Sequence, residues 1–186
     1  MRALQTVRLV IVPATAELVR KELEDPAVLF ELLRVPEVRG WPPPALREAL
    51  PLFLERLEAD EGAVGWFSWY WIRRENRCLV GGGGVCGPPS ADGSVEVGYE
   101  TRAAYRRRHI ASEAVGALVR GALAVSCVQR IRAEAEPGNV ASAKLLHRAG
   151  FVPTGARAEK AVTRWELEAP RQPTRVANAG RLPADD

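Results

Sequence analysis

Two carboxylates, an arginine-rich turn, and an asparagine three residues ahead of a serine are the groups in this chain whose types and spacing can do chemistry. They lie between Val95 and Gly155, in the order strand, turn Arg106-Arg107-Arg108-His109-Ile110-Ala111, amphipathic helix, second strand, Asn139-Val140-Ala141-Ser142, short helix. The amides of Arg108, His109, Ile110 and Ala111 stand at a helix start, where they lack an intrahelical acceptor and the helix dipole adds partial positive charge. Such a turn holds a pyrophosphate by its backbone. The guanidinium groups of Arg106, Arg107 and Arg108 add charge toward a diphosphate or a further phosphate; the competing reading is a solvated basic helix start or an RNA-facing patch. Asn139 is placed to cap the short helix, with Ser142 one turn along. The order predicts a site for an anionic cofactor. Glu96, in Val95-Glu96-Val97-Gly98-Tyr99, and Glu134, on the neighbouring strand, are carboxylates that accept a proton efficiently if desolvated. The alternative is that both are ordinary polar positions on the less buried face.

These residues resemble the cofactor-binding half of the GNAT-type N-acetyltransferases, which move acetyl from acetyl-coenzyme A to an amine. The family turn reads Gln/Arg-x-x-Gly-x-Gly/Ala; here Arg106 and Ala111 fit its ends and His109 stands where glycine is usual. Ser112-Glu113-Ala114, Asn139 to Ser142, and Leu145-Leu146-His147-Arg148-Ala149-Gly150-Phe151 are similar to the branch that acetylates N-termini of ribosomal proteins and to its uncharacterised relatives. With the opening strand Val7 to Pro13, the similarity covers roughly nine tenths of the chain at the level of element order.

The resemblance implies acetyl-coenzyme A (acetyl-CoA) as cofactor and a primary amine as acceptor, on a small molecule or a peptide N-terminus. It implies that the turn from Arg106 to Ala111 takes the diphosphate, that Val97, Gly98 and Tyr99 run beside the pantetheine arm with an amide polarising the thioester carbonyl, and that Asn139 contacts that arm. Glu96 is then the first choice for base and Glu134 the rival. Ser142 is either the acid for the leaving thiolate or a buried hydroxyl bonded to its own helix. Tyr99 reads as core or pocket wall. Where many relatives carry a tyrosine acid, this chain has Leu146. The alternative function on the same fold is a non-catalytic acetyl-CoA sensor or partner-binding module, motivated by His109, Arg107 and the missing tyrosine. Specificity should lie with the first helices and last two strands, where acidic residues would suit a cationic amine.

The elements that must position these groups follow from periodicity. Val7, Leu9 and Ile11 alternate as a half-buried strand; Thr15 caps a helix that ends at Asp25-Pro26, and a second covers Ala27 to Leu33. Leu46, Ala49, Leu50, Phe53, Leu54 and Leu57 form one apolar helical stripe, which Pro51 should kink or divide. From Trp66 the period becomes two, with Trp66, Ser68 and Tyr70 facing one way and Phe67, Trp69 and Trp71 the other. Strands Cys78 to Cys86 and Ser94 to Thr101 complete a meander. Gly82 to Gly87 satisfies G-x-G-x-x-G, but Pro88-Pro89 and a turn follow instead of a helix, so a bulged strand packed closely by its neighbours is the better reading. A helix lined by Ala111, Ala114, Val115, Leu118, Val119 and Ala122, a strand from Ile131 to Glu136 and a short helix lined by Ser142, Leu145, Leu146 and Ala149 follow. The class is α/β, a mixed but mostly antiparallel central sheet flanked by helices, with splayed central strands.

A chain of 186 residues buries a core as one domain, expected over residues 1–169, with 170–186 as a flexible tail of prolines and small residues. Its net charge of +3 is mild and its basic residues are scattered, which disfavours nucleic acid as partner. Three cysteines and two histidines match no zinc spacing, so no metal is expected. The opening apolar run is too short for a secretory or membrane segment, and a cytoplasmic protein with free thiols is expected. Whether it forms a homodimer is left open.

Overall fold

The computed structural model describes residues 2–157 and 161–170. The tail expected from residue 170 onward lies, apart from Pro170, outside these residues. Thr6 N–H donates to Leu9 O (2.9 Å), turning the short β1 (Leu4–Gln5) into β2 (Leu9–Pro13). That turn corrects the opening strand: Val7 is 86% exposed, and the buried alternation starts at Leu9 and Ile11. Thr15 caps α1 (Ala16–Glu24) by accepting from Leu18 N–H. Asp25 ends α1 and caps α2 (Pro26–Leu33), whose first position is Pro26, a residue with no amide to leave unsatisfied. Helix α3 (Pro44–Ala59) runs through Pro51 undivided. Pro51 lies on its exposed side, where water can replace the bond that Pro cannot give to the preceding turn.

The meander is β3 (Ser68–Arg73), β4 (Leu79–Val85) and β5 (Ser94–Thr101); after it come α4 (Ile110–Leu123), β6 (Arg130–Ala135), α5 (Val140–Arg148), β7 (Val152–Arg157) and β8 (Val162–Glu168). The eight strands lie in the order β1-β2-β3-β4-β5-β6-β8-β7. Neighbours are antiparallel except β5 and β6, which are parallel and therefore need a crossover, supplied by α4. The mixed sheet flanked by helices is the expected class.

Two apolar clusters cover its faces. One joins Trp69, Trp71, Val95, Val97, Ile131 and Ala133 to α4 and α5. The other joins Tyr70, Ile72 and Leu79 to α1, α2 and α3. Phe67 falls in this second cluster, beside Phe53 (ring centroids 5.2 Å), and not with Trp69 and Trp71 as alternation suggested. It precedes the first residue of β3, so the period of two does not yet apply to it. Strand β4 is squeezed between its neighbours: a Cβ on Gly83 (φ +149) would lie 2.4 Å from Gly98 O, and one on Gly84 2.0 Å from Phe67 O. The glycine run thus belongs to a strand, as its context indicated.

Under the second cluster sits one carboxylate. Glu22, 2% exposed, accepts from Trp41 Nε1–H and from Tyr70 O–H, both at 2.6 Å. It ties α1 to β3 and to the segment before α3. Burial pushes its carboxyl up to about 7, against the two hydrogen bonds, which favour the anion. A carboxyl raised in the folded state binds protons that the unfolded chain has released, so stability falls as pH rises from about 4.5 to about 7 and stays low above that. Glu22→Gln mimics the protonated form. Urea unfolding should show the parent losing stability between pH 5 and pH 8, on the order of 2–3 kcal/mol from this group, while Glu22→Gln lacks that loss. An equal slope in both proteins would refute the assignment.

Candidate functional site

The β5–β6 ladder runs from Ser94↔Arg130 to Val97↔Ala133 and then stops. From Gly98 to Thr101, β5 pairs only with β4, while Glu134 and Ala135 pair only with β8. Parallel strands that part in this way open a V-shaped gap with unpaired backbone groups along one edge of β5. Such an edge can accept an extended ligand as if it were an added strand.

At the end of β5 the chain passes through a 3-10 turn, Ala103–Tyr105, into the arginine turn and α4. Arg107 and His109 both have φ 59, the left-handed conformation. That explains the usual glycine at the position of His109, since only glycine adopts it without a Cβ penalty. The His109 side chain itself is exposed. The amides of Arg108, His109, Ile110 and Ala111 donate to no group among the described residues, as an anion-binding helix start requires.

The three arginines divide their work. Arg106 turns back, donating from Nε to Thr101 O (3.0 Å) and bridging Glu100 (3.3 Å). Arg108 lies over the Tyr105 ring, 6.0 Å from its centroid, and Arg102 lies over the same ring at 5.5 Å. Arg107 is exposed and makes no hydrogen bond or ion pair among the described residues. Of the three guanidinium groups it is the one left uncommitted among the described residues.

A residue far upstream holds this turn. Arg8 Nη1 donates to Arg108 O (2.8 Å) and Nη2 to His109 O (3.1 Å). Its Nε and its amide both donate to Glu113, on the first turn of α4, at 2.6 and 2.7 Å, and the Thr6 hydroxyl donates to the same carboxylate at 2.5 Å. Burial alone would raise the Glu113 carboxyl, but these hydrogen bonds and the Arg8 charge more than offset it and hold the group below its usual range. In a trans peptide C=O and N–H point opposite ways. Fixing the carbonyls of residues 108 and 109 toward Arg8 therefore aims the amides of His109 and Ile110 away from it, toward the open side of the turn.

Asn139 caps α5, its side-chain oxygen accepting from Ser142 N–H (3.0 Å). Ser142 Oγ lies 2.7 Å from Tyr99 Oη. The hydroxyl is thus bonded to β5 and not to its own helix. Burial holds the Tyr99 phenol above its usual range, partly relieved by the Ser142 bond. Leu146, where a tyrosine was noted as missing, is fully buried. The pairing of Tyr99 with Ser142 carried no sequence signal, since 43 residues separate them.

Glu96 and Glu134 point away from the first cluster, whose β5 and β6 members are Val95, Val97, Ile131, Ala133 and Ala135. Glu96 is exposed, and its carboxylate makes no hydrogen bond or ion pair among the described residues. Its register partner Arg132 is committed to Asp92 (3.0 Å) and Glu166 (3.2 Å). Glu134 is half-buried, opposite Arg164 in the ladder. On the same side of the sheet a cavity of about 180 Å³ opens between α3 and the strands, lined by Leu46, Phe53, Phe67, Gly82 and Gly98 among others. It is mostly apolar. His147 is exposed, as expected.

Comparison with known proteins agrees with this geometry. A family model described as an acetyltransferase (GNAT) domain matches residues 16–152. The uncharacterized N-acetyltransferase YjdG of Bacillus subtilis is 37% identical over 112 residues, 60% of this chain and 67% of the relative. The fold is shared with the ribosomal-protein-S5-alanine acetyltransferase of Vibrio fischeri (TM-score 0.65, 16% identity, 92% of this chain and 99% of that one). It is shared also with a spermidine N-acetyltransferase chimera from Vibrio cholerae and hSSAT (TM-score 0.61, 13% identity, 87% and 95%). The match over most of its length places the chain in the acetyltransferase (GNAT) domain family as an acetyltransferase enzyme.

Proposed function

We propose that this enzyme transfers acetyl directly from acetyl-CoA to a primary amine, with the phosphates on the turn from Arg106 to Ala111. The observation that carries the reading is the continuity of unpaired donors: the open edge of β5 from Gly98 leads to a turn whose amides have no acceptor. Bound there, acetyl-CoA supplies the acetyl thioester. The residues present fit it: the turn offers backbone amides and the free Arg107 to phosphates, the β5 edge offers backbone partners to the pantetheine amides, and Asn139 orders the start of α5 beside it.

Around that edge the side chains take separate roles. An amide of Val97 to Tyr99 polarises the carbonyl as its oxygen gains charge. Glu96, uncommitted and on the cavity side, takes a proton from the acceptor ammonium, directly or through one water; Glu134 is the second candidate. Ser142, bridged to Tyr99, is a hydroxyl able to return a proton to the departing sulfur, with Tyr99 replenishing it.

Three outcomes follow. Glu96→Gln should retain acetyl-CoA affinity by calorimetry while turnover falls about 10²–10⁴-fold, recovering as pH approaches the pKa of the acceptor; loss with Glu134→Gln alone would move the role to Glu134. Ser142→Ala should lower kcat about 10²-fold, Tyr99→Phe less, and the double variant no further than Ser142→Ala, because the two hydroxyls act through one hydrogen bond. Arg8→Gln should weaken coenzyme A binding roughly tenfold, the equivalent of one lost hydrogen bond to a charged group. Unchanged affinity in Arg8→Gln would mean that the turn keeps its amides aimed without the guanidinium.

A further inference from the structure

The 180 Å³ cavity between α3 and the sheet has a chemistry that selects its occupant. Its helical wall is Leu46, Ala49 and Phe53, and its floor is the backbone of the run Gly82 to Gly84. Beside that floor, a Cβ on Gly82 would stand 3.3 Å from the edge of the Trp41 indole. At the other end the lining reaches Cys86, Gly98 and Glu100. Gly98 and Glu100 belong to the stretch of β5 that has lost β6, and Glu96 is one strand repeat before Gly98. A molecule seated in the cavity therefore has its outer end at the edge of β5 where transfer takes place.

Three features fix the class of that molecule. First, the lining is almost wholly apolar, and a charged body placed in it would lose hydration without a partner. Second, Glu100, the one ionisable carboxylate among the lining residues described, already bridges Arg106, so it is not a free counter-ion for a polyamine. Third, the volume slightly exceeds the roughly 150 Å³ of a cavity known to hold one benzene ring, so it suits one ring rather than two residues of a peptide.

We infer that the acceptor is a small arylalkylamine: the ring enters between α3 and the Gly82 to Gly84 floor, and the amine stays at the mouth beside Glu96. This rests on the acetyl-transfer reading for the location of the reacting end but not for binding of the ring.

The test therefore reads binding and transfer separately. With coenzyme A present, calorimetry of 2-phenylethylamine, tyramine and spermidine should show binding of the two aromatic amines in preference to spermidine. Kinetics with acetyl-CoA should give a kcat/KM at least tenfold higher for the aromatic amines than for spermidine or for peptides with N-terminal alanine or phenylalanine. Ala49→Trp, which fills the cavity, should raise KM for 2-phenylethylamine tenfold or more without changing coenzyme A affinity. Leu46→Ala, which enlarges it, should shift preference toward two-ring amines and guards against a misfolded Ala49→Trp. Spermidine or a peptide acetylated in preference, with aromatic amines not bound, overturns the assignment of the cavity while leaving acetyl transfer intact. Aromatic amines bound in a manner sensitive to Ala49→Trp, yet never acetylated, would uphold the cavity and defeat the transfer reading.

Discussion

Backbone hydrogen bonds between β5 and β6 end at Val97 and Ala133, and an unpaired strand edge inside a sheet must find other partners. The arrangement of the site is organised around that opening. On one face α4 and α5 pack against Val95, Val97, Ile131 and Ala133 and hold the two strands together up to the point of parting. Beyond it, β5 is steadied from its other side by β4, whose glycines allow the close approach. The gap is therefore rigid on the β4 side and open on the β6 side. An extended ligand entering there meets backbone groups already in place.

Electrostatics then sorts the ligand end to end. At the far end of β5 the turn presents amides, and its own arginines are largely spent on local structure, Arg106 on Glu100 and Thr101 O and Arg108 on Tyr105. The orienting charge comes instead from Arg8, whose fork holds two consecutive carbonyls and whose own position is fixed by Glu113. Preorganised dipoles need no reorganisation when a phosphate arrives. At the near end, Glu96 has no competing cation and Ser142 has a second hydroxyl behind it. The proposed base and acid thus stand in different surroundings, as two opposite proton transfers require.

The helical layer on the other face does a different job. Glu22 binds Trp41 and Tyr70 together in a place where an unpaired carboxylate would be strongly disfavoured. That triad sets Trp41 beneath Gly82, and α3 lies across the same strands. The apolar cavity is a product of this packing, a space that neither α3 nor β4 fills.

Much of this was legible along the chain because it is local. Thr15 and Asp25 cap helices through atoms two or three residues away, Asn139 bonds the amide of Ser142, and the free amides at Arg108 to Ala111 follow from helix geometry alone. Where local patterns failed, a neighbour intervened: the Thr6 to Leu9 turn exposed Val7, and Phe67 lay just outside the strand whose period was applied to it. The order of elements, the mixed sheet class and the uncommitted amides at the start of α4 were therefore determined by the sequence itself. Only the tertiary structure decided that Arg8 orients the arginine turn across 100 residues, that Tyr99 meets Ser142, and that the cavity is mostly apolar. Caps and periods are set by spacing within a turn or a strand, whereas these contacts depend on which faces of distant elements come together, and spacing in the sequence does not carry that information.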